Sequence, residues 1–134
     1  MVRHGECSIV TKTRTQWVDI TAEVSRIVAG SGITEGICCI ASLHTTGGIT
    51  INENADPDVE ADFFYKINQL ISRDHAFRHA EGNSDSHCKT SLTGLSVQLP
   101  VTGALLVLGA WQSVYFCEFD GPRHRRAWVT VIGE

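Results

Sequence analysis

The stretch EGICCIASLHTTGGITINEN, Glu35 to Asn54, decides how the rest of the chain is read. Its left part, Glu35 to Leu43, is a nearly continuous apolar run bounded by Gly36, a pattern that suits an interior strand covered on both faces. Gly47 and Gly48 then allow a turn or a bulge, and Ile49 to Asn52 alternates as a second strand. Between and after the two strands, Ser42 to Asn54 concentrates a histidine, four hydroxyls, two glycines, two asparagine amides and a carboxylate. Polar groups gathered at the end of a rigid element point to a site, because burying them unpaired is unfavourable.

To the right, DPDVEADFFYKINQLI predicts a helix over 57–72. Asp56 caps it, Pro57 takes the first helical position, and Asp58 and Glu60 suit the positive end of its dipole. Val59, Phe63, Ile67 and Leu70 share one face, widened by Phe64 and Ile71, so this is a packing helix. To the left, Glu6–Lys12 and Thr13–Asp19 are Thr-rich and β-branched and read as an opening pair of strands. Thr21 is the expected cap of a helix from about Ala22 to Ala29, stopped by Gly30 or Gly32.

Asp74 to Ser86 is polar and aperiodic and reads as a loop. A short helix over 86–93, capped by Asp85 and ended by Gly94, follows it. Four strand-like runs, 95–99, 104–108, 113–119 and 127–132, close the chain; turn signals this dense imply an antiparallel meander. The expected class is α+β: an antiparallel β-sheet or flattened barrel, a long packing helix, and one or two shorter helices.

A length of 134 residues suits one domain, 1–134, with a single real core. A formal charge of -4 argues against a general nucleic-acid binder. Five irregularly spaced cysteines form neither a CxxC pair nor a secreted disulfide framework, so they read as buried reduced thiols. MVRHGECSIV lacks the apolar core of a signal peptide and no run reaches membrane-spanning length, which gives a cytoplasmic protein without a membrane partner as the expectation.

The chemistry-bearing candidates are few. His44 stands at a predicted strand end, and His79 and His87 flank the polar loop. Three imidazoles around an open position make a catalytic zinc-type site, while scattered surface or hydrogen-bonded histidines are the plain alternative. Glu53, between Asn52 and Asn54, can act as a base, bind a metal, or only close a local turn. Trp111 and Gln112, after Gly109, can stack on and hydrogen-bond a planar ring if exposed. Asp120, Arg123, Arg125 and Arg126 form either a solvated basic turn or an anion fork.

Taken together, HTTGGITINENADPDV, RHAEGNSDSH, KTSLTG, LGAWQ and CEFDGPRHRRAWVTVIG resemble the YjbQ-like (UPF0047) family, also labelled secondary thiamine-phosphate synthase, over nearly the whole chain. Ala110 departs from the family's Gly-Thr-Trp-Gln and lacks that hydroxyl. The resemblance implies an α+β homotrimer in which His44, His79 and His87 meet around a divalent metal of the zinc or magnesium class, near a subunit boundary. The label implies joining a pyrimidine diphosphate to a thiazole phosphate with release of pyrophosphate, as a secondary activity on a small phosphorylated substrate. The residues expected to carry it are His44, Glu53 and Arg125 in catalysis, with Thr45, Asn52, Trp111, Gln112 and Arg123 on the substrate. A metal-dependent hydrolase with Glu53 as base, or a non-catalytic trimer binding a metabolite or metal, are the alternatives.

Overall fold

A computed structural model describes residues 1–134. The chain runs β1 (Val2–Val10), β2 (Gln16–Asp19), α1 (Thr21–Gly30), β3 (Glu35–Ser42), β4 (Gly47–Glu53), α2 (Pro57–Leu70), α3 (Ser84–Thr93), β5 (Ser96–Thr102), β6 (Leu105–Leu106), β7 (Gln112–Glu118) and β8 (His124–Gly133). It is α+β, with a five-stranded sheet in the order β1-β8-β3-β5-β6 and a three-stranded sheet in the order β2-β7-β4. No helix is long and apolar enough to cross a membrane.

β3 is interior, as its apolar run predicts, paired antiparallel to β8 on one side and β5 on the other. Its two faces differ, however. Cys38 and Ile40 point into the core with Cys7, Ile9, Val101, Val129 and Val131, whereas Ile37 is 56% exposed on the reverse face. Val2, Trp128 and Ile132 continue that uncovered apolar row across neighbouring strands. The expectation of cover on both faces therefore fails for β3 within one chain. It holds for β7, where every residue from Ser113 to Glu118 is buried. Val114 and Phe116 join the main core between the two sheets and α1, while Tyr115 and Cys117 face Trp17, Phe64 and Ile67 beneath α2.

Two topological expectations are corrected. β1 and β2 do not pair with each other; β1 lies against β8 and β2 against β7. The last four strands are not a meander, since only β5 and β6 form a hairpin. β7 leaves for the small sheet and β8 inserts between β1 and β3. Turn residues dictate that the chain reverses, not which sheet receives the next strand. The β5–β6 turn shows its chemistry plainly: Gly103 and Ala104 both have positive φ (58° and 64°), as a tight two-residue hairpin turn demands.

The long helix begins as read, with Asp56 accepting from the Asp58 N–H at 2.9 Å, but it ends at Leu70, which is exposed. The other two caps are corrected. At α1, Asp19 accepts from the Thr21 N–H (2.9 Å), while the Thr21 hydroxyl accepts from the Val114 N–H (2.8 Å) and ties the helix to β7. At α3 no side chain caps the helix, and Asp85 turns inward instead.

Candidate functional site

His44 sits on the loop that follows β3. Ser42 shapes this loop: its hydroxyl donates to the Gly47 carbonyl (2.7 Å) and accepts from the His44 N–H (3.1 Å). The ring's Nε2 accepts from the Arg126 N–H at 2.8 Å, which leaves the proton on Nδ1. Burial first, then the Arg125 and Arg126 charges, hold its pKa below the ordinary histidine value, so the ring is neutral at physiological pH. The neighbouring Thr45 is exposed, whereas Thr46 is buried. Gly47 and Gly48 are not a turn but the first residues of β4. A Cβ at Gly47 would strike the Phe116 ring, and one at Gly48 the Gly94 carbonyl, so glycine here permits close approach.

The basic turn is solvated at Arg123 and Arg126, which are exposed, and buried only at Arg125. Arg125 is 3% exposed and anchored through two of its three nitrogens: Nε donates to Glu118 Oε2 (2.7 Å), and one terminal nitrogen reaches Glu118 Oε1 and Thr46 Oγ1. Glu118, wholly buried, also accepts from the Thr11 hydroxyl (2.8 Å) and the Asp120 N–H (2.9 Å). Arg123 pairs with Asp120 at 3.0 Å, and Arg126 reaches Glu6 at 3.5 Å. Strand phase carried this signal, because Arg125 lies in register with the inward residues Ala127, Val129 and Val131.

Glu53 and Asn52 lie at the far end of β4, on the order of 20 Å along the strand from the His44 loop. Asn52 Oδ1 accepts from the Glu53 N–H (2.8 Å), and the Glu53 carbonyl accepts from the Tyr115 hydroxyl (3.0 Å). The Glu53 carboxylate lines a small cavity of about 170 Å³ with Trp17, Asp56, Glu60 and Tyr115. Trp111 is 65% exposed at the same end, and Gln112 closes its own turn by accepting from the Gly109 N–H (2.8 Å). Asn54 is structural, donating to the Gln112 carbonyl and the Ser113 hydroxyl.

His79 and His87 do come together. Their rings pack edge to face with centroids 5.2 Å apart, and His79 Nε2 lies 3.8 Å from Glu81. His87 projects from the first turns of α3, which Ser86 anchors by donating to the Phe119 carbonyl (2.6 Å). His79 also lines a cleft of about 290 Å³ with Arg73, Asp74, His75, Ser84 and Asp85. His44 does not join them: within one chain no three His, Cys, Asp or Glu side chains converge on a point that would hold a metal. Cys7, Cys38 and Cys117 are buried, which raises their thiol pKa values (Cys7 to about 12), and all five cysteines are free.

The residues that sequence reasoning missed lie on the inner face of α3. Asp85, Ser86, Lys89 and Thr90 recur at helical spacing and are all buried. Asp85 binds Lys89 Nζ at 2.9 Å and Arg14 at 3.3 Å. Only the i,i+4 pairing of Asp85 with Lys89 hinted at this, and such a pair ordinarily faces solvent.

Residues 5–134 match the model of a protein family described as UPF0047 protein YjbQ-like. The UPF0047 protein YugU of Bacillus subtilis is 45% identical over 126 residues, spanning 93% of this chain and 96% of that protein. A UPF0047 protein of Methanocaldococcus jannaschii is 44% identical over 94% of this chain and 91% of its own. Among solved structures, a protein of unknown function from Sulfolobus solfataricus superposes with a TM-score of 0.95 at 32% identity, covering 100% of this chain and 99% of that one. An uncharacterised protein from Clostridium acetobutylicum gives 0.92 at 44% identity, covering 95% and 98%. With the family's fold over essentially its whole length, this chain belongs to the YjbQ-like (UPF0047) family.

Proposed function

We propose that the His79–His87 pair and the cleft beside it are the working centre of a small-molecule enzyme that acts on a phosphorylated substrate with a divalent cation. The reaction class is the one the synthase label describes. The bond from a pyrimidine methylene carbon to its diphosphate oxygen breaks, a thiazole nitrogen bonds to that carbon, and pyrophosphate leaves with the electron pair. The observation that carries the reading is the approach of the two imidazoles, 5.2 Å between centroids, at the rim of a cleft with one apolar residue in its lining.

The donor set fits a borderline cation. The two imidazoles are donors of the kind zinc or manganese takes, but on their own they supply too few ligands to close the shell. The remaining positions fall to water, to substrate oxygens, or to a second copy of the chain in a homotrimer. When bound, such a cation neutralises charge on a departing pyrophosphate. His44 has a separate part: with Nε2 engaged by Arg126, its free Nδ1–H is a hydrogen-bond donor to an anionic group. Glu53 lines a different cavity from His79, which leaves a hydrolase with Glu53 as its base without support inside one chain.

Metal content after chelator-free purification tests the cation. The wild type should retain zinc, manganese or iron that a His79→Ala/His87→Ala variant lacks; equal, negligible content in both removes the metal from the proposal. Incubation with both phosphorylated precursors, with and without Mg²⁺, tests the transfer. Absence of thiamine phosphate in every arm overturns the synthase reading. The uncovered row Val2, Ile37, Trp128 and Ile132 supports the homotrimer, and a monomeric mass by light scattering would remove it.

A further inference from the structure

Beside the histidine cleft, sharing Arg73 and Asp85 with it, lies a second cleft of about 410 Å³ with no apolar residue in its lining. Besides the shared Arg73 and Asp85, its walls are Arg14 with Thr15, Asn68 near the end of α2, Ser72 just beyond it, and Lys89 from α3. We propose that this cleft binds the phosphoryl oxygens of a small phosphorylated molecule, pyrophosphate included. The proposal rests on the preceding reading for its place in a reaction, but its physical basis is separate.

The donors outnumber the acceptors. Lys89 is 3% exposed, and its ammonium donates to Asn68 Oδ1 (2.7 Å) and Asp85 Oδ2 (2.9 Å). An ammonium has three donors, and the third finds no acceptor within the chain. Arg14 uses a single terminal nitrogen, directed at Asp85 and the Ser86 hydroxyl (3.3 Å each). Its Nε and other terminal nitrogen make no hydrogen bond. Arg73 has neither a hydrogen bond nor an ion pair and stands where the two clefts join.

Three cations thus face one carboxylate. Asp85 is 2% exposed, and both of its oxygens already accept from Arg14 or Lys89, so it presents little free negative charge to the cleft. Asp74 lines the histidine cleft rather than this one, and Asp85 is the sole carboxylate in the lining here. Asp85 is best read as a positioning residue. It holds a buried ammonium and a guanidinium at fixed places around a polar hollow, the preorganisation that phosphate capture requires. Arg123 and Arg125, the arginines that looked suited to this task in sequence, are committed to Asp120 and Glu118.

The test is a calorimetric titration of the full, metal-stripped protein with sodium pyrophosphate and, separately, inorganic phosphate. Pyrophosphate should bind with a dissociation constant of about 1 mM or tighter, and more tightly than phosphate. Arg73→Gln, which touches no partner and so leaves the fold alone, should weaken it about tenfold, the effect expected for losing one charge-assisted contact. Arg73→Lys should recover part of that loss. The His79→Ala/His87→Ala variant should bind pyrophosphate within about twofold of wild type, which separates this site from the metal reading. No heat of binding at 10 mM pyrophosphate, or equal affinity in wild type and Arg73→Gln, overturns the proposal. So does a loss of binding confined to the histidine variant.

Discussion

Two ion pairs are buried in this small domain, and they are built to opposite plans. Glu118 and Arg125 are locked to each other: both oxygens of the carboxylate are used, Thr11 and Thr46 occupy the flanks, and neither residue lines the clefts described above. Asp85 and Lys89 are buried as deeply but end at a polar hollow, with an ammonium donor left over and Arg14 and Arg73 standing by. A closed pair costs much desolvation energy and returns it only by fixing its surroundings, here the register of β8 and the His44 loop. An open pair leaves part of its potential available to a ligand. Burial alone therefore does not tell architecture from binding; donors that open onto a polar cleft do.

The sharpest way to break the contrast is to remove one partner from each pair. Arg125→Met strands the Glu118 carboxylate in the core and should cost about 3–5 kcal/mol of stability in urea unfolding. Added pyrophosphate should return none of it. Asp85→Asn should cost less, about 2 kcal/mol, because its partners can turn toward the hollow and water. Pyrophosphate should raise its thermal midpoint by at least as much as it raises that of wild type. A ligand response from the Arg125 variant, or none from the Asp85 variant, would erase the distinction.

Smaller effects sharpen it. Arg73→Gln should leave unfolding free energy within about 0.5 kcal/mol of wild type, as befits an exposed side chain without partners, while lowering pyrophosphate affinity. The smallest effect concerns His44. Burial and the Arg125 and Arg126 charges lower its folded pKa below the ordinary 6.5, so the unfolded chain takes up its proton first. The folded state accordingly loses stability as pH falls below about 6.5, and the loss levels off below the folded pKa. The His44 ring protons in an NMR titration should show a midpoint below 6.5, and a midpoint at or above it would refute the assignment.

Elements whose making is local were legible in the sequence. Asp56, Pro57 and the acidic first turn announced α2 correctly, and the apolar run located β3 to within a residue of Glu35–Ser42. Partners were not legible, because pairing depends on distant strands. The same apolar continuity that read as cover on both faces belongs to a strand with one bare face, and the fully enclosed strand, β7, contains Ser113 and Glu118. Site residues divided the same way. The His79–His87 approach spans one loop and was within reach, whereas the fate of Arg125 depended on a carboxylate seven positions back on another strand. Asp85 read as a helix cap, and its burial with Lys89 depends on how α3 packs on the rest of the fold, which no local pattern states.

The three tryptophans occupy three unlike surroundings, and this gives the fold its own optical readout. Trp17 is 5% exposed and stacked on Tyr115 with centroids 4.9 Å apart, so its emission should be blue-shifted and closed to iodide. Trp111, at 65% exposure, should be red-shifted and readily quenched. Trp128 stands between them, 39% exposed on the bare row of the large sheet. A variant that keeps Trp128 alone would turn that row into a gauge: its quenching falls with protein concentration if copies of the chain cover it, and stays constant if water does.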